Sequence, residues 1–255
     1  MTQPDKPEQT ADGIRMPFLG HLEELRWCII RSLIALGAGF GIAMFFIRDL
    51  VKLIELPLVR AGIQAGDSSL QLRTISVGES FSMLIMVAGG AGLLLAIPYI
   101  FYEIWRFVSP GLMPSEKRAV GPLILFGTLF FYGGVAFCHL LVIPPALTYF
   151  LQLNQYLGLV TEWRAKDYLS FTMTMLISAG ILSELPVLTV VLARFGILSA
   201  AFMIHYWRHA VVILLVLAAA ITPSTDPLSM LVLAVPLIAL YALSIFLAKA
   251  FYVQR

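Results

Sequence analysis

The chain has 255 residues, of which 60% are hydrophobic and 13% charged, with a mean hydropathy of +0.90 and a formal net charge of +2. An ordinary soluble domain carries about a quarter charged residues, so most of this surface must be solvated by lipid rather than water. The small net charge and the lack of a basic run argue against nucleic acid as a partner.

Residues 1–15, rich in Pro, Gln, Thr, Asp and Glu, are expected to form a disordered tail ahead of one membrane domain at 16–252, with 253–255 as a short second tail. The first apolar run is too long for the core of a cleavable signal peptide and leads into no polar domain. About 20 apolar residues cross a hydrocarbon layer of roughly 30 Å. Six stretches qualify: 27–47 carrying only Arg31, 80–102 and 119–147 without charge, 168–193 carrying only Glu184, 203–222, and 228–248. The fifth has only 13 uncharged residues, Ala210 to Thr222, which reach about 20 Å. It must therefore extend back past Trp207 and Arg208, with polar residues snorkelling or the bilayer thinning around it. Six crossings put both termini on one side. With the N-terminus inside, eleven Lys and Arg fall inside and six outside, which favours N-in and C-in.

The longest segment between spans, 48–79, leaves no room for a soluble domain. Residues 49–56 read as a short amphipathic helix at the outer interface, stopped by Pro57, and 70–77 as extended chain. No internal repeat is visible, which counts against an inverted-repeat transporter. Cys28 and Cys138 lie far apart in apolar surroundings and read as small buried hydrophobes.

Three polar features stand out against this background. The first is His21-Leu22-Glu23-Glu24-Leu25-Arg26, just ahead of the first span. At about 100° per residue, Phe18, Leu22, Leu25 and Ile29 share one helical face, while Glu24 lies opposite and Glu23 to one side. This is either a solvated helix end with Glu23 and Arg26 paired, or a presented carboxylate. The second is the loop after the second span. Pro110, Gly111 and Pro114 break the chain, Ser115 caps the next helix, and Glu116 stands in its first turn, where the helix dipole favours a carboxylate. Tyr99, Phe101, Tyr102, Trp105 and Phe107 cluster nearby, and Glu103 with Arg106 reads as a structural i,i+3 pair. Two carboxylates beside aromatic surface suit an arginine-bearing peptide, because a carboxylate accepts a guanidinium bidentately.

The third is Glu184. A charge near the bilayer centre costs about 2.5–3.5 kcal/mol on insertion scales, and such residues mark function or a bond within the bundle. No cation inside the expected spans is an obvious partner for it except Arg31, and Pro186 is expected to kink the helix beside it. Asp226 followed by Pro227 explains an outer turn as a helix cap. His205 and His209 read as interfacial anchors rather than metal ligands, since no third ligand is evident. Signatures for a nucleophile elbow, a zinc protease, a P-loop or an intramembrane aspartyl dyad are missing, so the expectation is no enzyme, no metal and no cofactor.

From Phe18 to Tyr252 the chain resembles the TatC family, the multispanning signal-peptide receptor subunit of the twin-arginine protein translocase. His21–Arg26 is similar to the family's H-L-x-E-L-R, and Phe107 to Leu112 with Glu116-Lys117-Arg118 to its F-x-x-P-x-L and E-[RK]-R loop. Phe131 to Phe137 resembles the third-helix F-x-x-G-x-x-F, Glu184-Leu185-Pro186 the fourth-helix F-E-x-P, and 222–227 the last outer turn; Pro57 and Pro98 fall where the family has prolines. The resemblance implies an all-α, six-helix, N-in/C-in concave (glove-like) protein of the bacterial cytoplasmic membrane, with short fifth and sixth helices and structural turns at Pro57, Pro98, Pro110 and Asp226. It implies binding of paired-arginine signal peptides of folded cargo through Glu24 and Glu116, with Leu22, Arg26 and Phe107 alongside. It implies single-span TatB-like and TatA-like partners near Glu184 and Met230, and self-association in the bilayer. Ser183, Met230 and Ala242 depart from the family pattern, and all three fall at the partner-helix site. The competing reading is an ion-coupled secondary transporter using Glu184; an intramembrane enzyme is a weaker third.

Overall fold

The structure, a computed structural model, describes residues 18–65, 72–109, 120–222 and 227–251. Among them nearly everything is helical, and the one strand-like contact is a parallel bridge between Arg73 and Arg164.

Helix α1, Phe18–Phe45, is a 28-residue apolar rod that turns at Phe46 directly into α2, Ile47–Ala65. Helix α2 is amphipathic, with Asp49 in its first turn, where the dipole favours it. Pro57 does not stop this helix; it lies inside it. An interior proline costs about 3 kcal/mol, but Ile54, Pro57, Leu58 and Ala61 are all buried on one face. Burying an Ile or Leu side chain contributes roughly 1.5–3 kcal/mol, so packing outweighs the lost backbone bond.

Helix α3, Glu79–Val108, spans 30 residues and also contains a proline, Pro98, where a turn was expected. A proline cannot donate to the carbonyl four residues back, here that of Leu94. The Tyr132 hydroxyl donates to that carbonyl instead, at 2.8 Å. In lipid a freed backbone group must find such a partner, which is why the helix continues. Tyr132→Phe is expected to cost about 1 kcal/mol, read as a lower unfolding midpoint in detergent with no new fold defect by circular dichroism.

Tyr132 belongs to α4, Val120–Phe137, which passes through a wider π turn, Cys138–Val142, into α5, Ile143–Tyr156. The turn has a sequence cause. Pro144 and Pro145 lack N–H groups, so the ladder shifts and the Ile143 amide bonds the Cys138 carbonyl, five residues back. The apolar rod 121–156 is 36 residues long and outruns the expected 119–147.

Helix α6, Ala165–Leu182, and α7, Leu185–Arg194, are one apolar rod broken at Ser183 and Glu184, with Pro186 in the first turn of α7. Helix α8, Ala200–His205, is capped by the Ser199 hydroxyl, and Tyr206 separates it from α9, Trp207–Ile221. The last helix, α10, Pro227–Phe251, was expected to be short but runs 25 residues straight through Pro236. It is apolar on every face, so lateral packing rather than one stripe holds it.

Helix α1 packs along α3, α2 along α5, α4 along α6, and α10 along α7, with α9 against α10. The main core lies where α2, α3, the π turn, α5 and α6 meet, around Ile54, Val87, Cys138, Ile143, Leu169 and Met175. The Tyr168 hydroxyl donates to the Ile54 carbonyl at 2.6 Å and ties α6 to α2. Outward-facing Leu33, Ile34, Phe45, Leu125 and Phe246 are more than half exposed, as a lipid-solvated surface requires. Among the described residues five helical stretches are long and apolar enough to cross a membrane, and Trp207–Ile221 is a shorter apolar sixth.

At the end of the bundle where α3 begins, the buried Glu79 carboxylate accepts the Ile75 and Ser76 amides at 2.9 and 3.2 Å and meets Arg164 at 3.5 Å. Arg73 exchanges backbone bonds with Trp163 and Ala165 and pairs with Glu162 at 2.9 Å. The chain expected to be extended near 70–77 is therefore stapled to the start of α6 from Arg73 onward.

Candidate functional site

At the opposite end of the bundle, the start of α1 meets the end of α3. The His21 ring stacks on Phe107 with centroids 4.3 Å apart and planes 17° from parallel. His21 Nδ1 lies 4.0 Å from Glu24 Oε2. Behind this stack is a pocket of about 390 Å³, walled by Trp27 and Phe107 and lined by Glu23, Glu24, Arg31, Glu103 and Arg106. That volume lies in the range of small-ligand sites, ~300–1,000 Å³.

Glu24 lies half-buried in this pocket, and its Oε2 is enclosed without a hydrogen-bond partner among the described residues. The apolar stripe opposite it faces outward: Leu22, Leu25 and Ile29 are 46%, 38% and 51% exposed. The stripe thus meets lipid, and the charged face is the one turned toward α3. Arg26 is exposed, and neither it nor Leu22 lines the pocket. Phe107 does. Glu116, Pro110 and Asp226 lie outside the described residues.

Glu103 is the residue that sequence reasoning undervalued. It is 1% exposed, and its carboxylate meets Arg31 at 3.2 Å and Arg106 at 3.8 Å. Only the i,i+3 relation to Arg106 was visible in the chain. The stronger partner, Arg31, is 72 residues away on α1. The available signal was a lone Arg31 inside the first expected span and Glu103 one residue beyond the expected end of the second.

Because Arg31 is committed to Glu103, it does not reach Glu184. Glu184 sits at the break between α6 and α7, half-buried, with Oε1 enclosed and unpartnered among the described residues. Its Oε2 would lie 3.2 Å from a Cβ placed on Gly127, and Phe101 flanks the same spot. Next to it, the Ser183 hydroxyl donates to the Ala179 carbonyl at 2.7 Å and lies against Gly134. The same Ser183 lines an apolar groove of about 520 Å³ between α4 and α10, with Phe130, Phe137, Pro236 and Leu240. Met230 is half-buried at the edge of the main core instead. His205 and His209 both pack on the Tyr206 ring, at 4.8 and 5.6 Å. Among the described residues no group of three His, Cys, Asp or Glu could hold a metal ion.

Comparison with known proteins gives one consistent family. Residues 20–236 match the family model for Sec-independent protein translocase protein (TatC). The chain is 36% identical to a Sec-independent protein translocase protein TatC of Deinococcus radiodurans, over 99% of this chain and 95% of that one. It is 34% identical to the one from Aquifex aeolicus, over 92% and 95%. It is 37% identical to the chloroplastic TATC of Pisum sativum, over 92% of this chain and 64% of the plant protein. Among solved structures it is similar to a crystal structure of the twin arginine translocase receptor TatC, with a TM-score of 0.78 and 33% identity, covering 90% of this chain and 98% of that chain.

Proposed function

The chain belongs to the TatC family and is a membrane-spanning, protein-transporting subunit of the twin-arginine translocase rather than an enzyme; from that premise we propose that it binds the paired arginines of signal peptides at the His21–Glu24 end of the bundle. The observation that carries this reading is the Glu24 carboxylate, held in a pocket with an enclosed oxygen that no neighbour among the described residues satisfies. An unpaired buried acceptor costs free energy until a donor arrives. A guanidinium supplies two parallel N–H donors and a full charge. Glu116 follows the α3 end of the pocket by nine residues after Phe107 and is the second carboxylate of the clamp.

On this reading both termini lie on the cytoplasmic side of the bacterial inner membrane with six crossings, one membrane domain covering 16–252. The function is binding and assembly, and single-span TatB-like and TatA-like subunits are the partners. The apolar groove beside Ser183 and the enclosed carboxyl of Glu184 support a helix-docking surface on that flank, and self-association completes the complex. The transporter alternative would use the same Glu184 as its coupling residue, and the family match is what favours the translocase reading over it.

The test is site-specific photocrosslinking. A photoreactive residue at Trp27, in the pocket wall, should capture a signal peptide carrying consecutive arginines, and excess unlabelled paired-arginine peptide should compete while a paired-lysine peptide should not. Capture that is indifferent to the arginines would sink the assignment.

A further inference from the structure

Resting on the receptor reading, we propose that Glu103 is a third carboxylate of the site: the pocket beneath Glu24 admits one of the two peptide guanidinium groups, which takes the place of Arg106 on Glu103. The argument starts from charge. Among the described residues the pocket is lined by three carboxylates, Glu23, Glu24 and Glu103, and by two guanidinium groups, Arg31 and Arg106. It therefore has one negative charge in excess, and one more cation balances it.

The two arginines are not held alike. Arg31 donates to Glu103 Oε2 at 3.2 Å and its side chain is 34% exposed. Arg106 approaches the other oxygen, Oε1, at 3.8 Å with its side chain 53% exposed, too far for a hydrogen bond. Glu103 Oε1 is accordingly enclosed with no hydrogen-bond partner among the described residues, although the side chain is only 2% exposed. A long-range contact to an exposed, solvated arginine is weakly held. A guanidinium entering between Trp27 and Phe107 would gain the unpartnered Oε1 as a charged acceptor and two aromatic faces. Arg106 then swings to solvent. Arg31 stays, because it occupies the other oxygen.

The two readings of Glu103 differ in outcome. If it only neutralises Arg31, it does not discriminate among peptides. If it receives a guanidinium, it sets the arginine preference at one of the two positions. Binding of signal peptides carrying Arg-Arg, Lys-Arg, Arg-Lys and Lys-Lys is measured on purified full-length protein, wild type, Glu103→Gln and Arg106→Ala. Wild type should prefer Arg-Arg over both singly substituted peptides. Glu103→Gln should bind Arg-Arg about tenfold more weakly and accept lysine at one position without further loss, keeping the preference at the other. Arg106→Ala removes the resident competitor while leaving the Arg31 pair, and should bind Arg-Arg several-fold more tightly.

Full discrimination at both positions in Glu103→Gln would overturn the inference and leave the receptor reading standing. If Glu103→Gln fails to assemble, Arg106→Ala decides: unchanged or weaker binding overturns the inference. A wild-type protein that does not separate Arg-Arg from Lys-Lys would instead overturn the receptor reading, and this inference with it.

Discussion

Glu24→Ala should lower the affinity of the purified protein for a paired-arginine signal peptide by about a hundredfold. The physical basis is the enclosed oxygen. Hydrogen bonds to charged groups contribute about 1.5–3 kcal/mol each, and a bidentate guanidinium–carboxylate contact makes two of them. Discounting for the half-exposed side chain leaves roughly 3 kcal/mol, a hundredfold in a binding constant at 1.4 kcal/mol per decade. The substitution should leave the fold alone. Glu24 makes no hydrogen bond through that oxygen among the described residues, and its one ionic neighbour is a histidine at 4.0 Å. Neighbouring Glu23→Ala serves as the control, expected to change affinity by less than threefold because its side chain is exposed. Titration by fluorescence anisotropy in detergent reads both. Equal effects at the two positions would mean that only the net charge of the helix end matters.

The second large effect concerns assembly. Gly92→Val should abolish correct packing of α1 on α3 and lower the thermal midpoint in detergent by about 10 °C or more. A Cβ at Gly92 would lie 2.6 Å from the Phe40 amide nitrogen, and one at Gly39 would lie 2.5 Å from the Gly92 carbonyl oxygen. The opposing atoms are backbone on both sides, so no side chain can move aside. Forcing extra atoms into a packed interface typically costs 1–3 kcal/mol and more where it cannot relax; about 4 kcal/mol is a fair figure here. For a chain of this size each kcal/mol shifts the midpoint by roughly 2–4 °C. The helices of a membrane bundle gain little from excluding water and depend on such close contact. Gly37→Val, on α1 two residues before Gly39 but facing open space, should shift the midpoint by no more than about 2 °C.

What the chain disclosed on reading, and what it withheld, follows from the range of each interaction. Apolar runs are local, so the membrane helices, the short α9 and the break beside Pro186 were visible. The outward apolar face of the first turn was also visible, because helical periodicity is local. The fate of the prolines was not. Pro57 looks like a stop and Pro98 was implied as a turn, and whether a helix survives such a proline depends on contacts from other helices, such as the Tyr132 hydroxyl on the Leu94 carbonyl. The Arg31–Glu103 pair was hidden for the same reason, since nothing in either neighbourhood names the other. The apolar run already set α10 at 228–248, through Pro236, and the structure extends it only to 227–251; that this helix is short was implied by the family resemblance alone.

The separation of Arg31 from Glu103 has a consequence for how this protein is made. Helix α1 carries a cation whose neutralising partner lies 72 residues further along the chain. At about 5–20 residues per second of synthesis, the first helix waits roughly 4–14 seconds with that charge unanswered. Its packing surface, centred on Gly39, also has no occupant until α3 is complete. The pair that neutralises Arg31 and the close contact at Gly39 both come from α3, so neither is available to α1 until α3 has been synthesised.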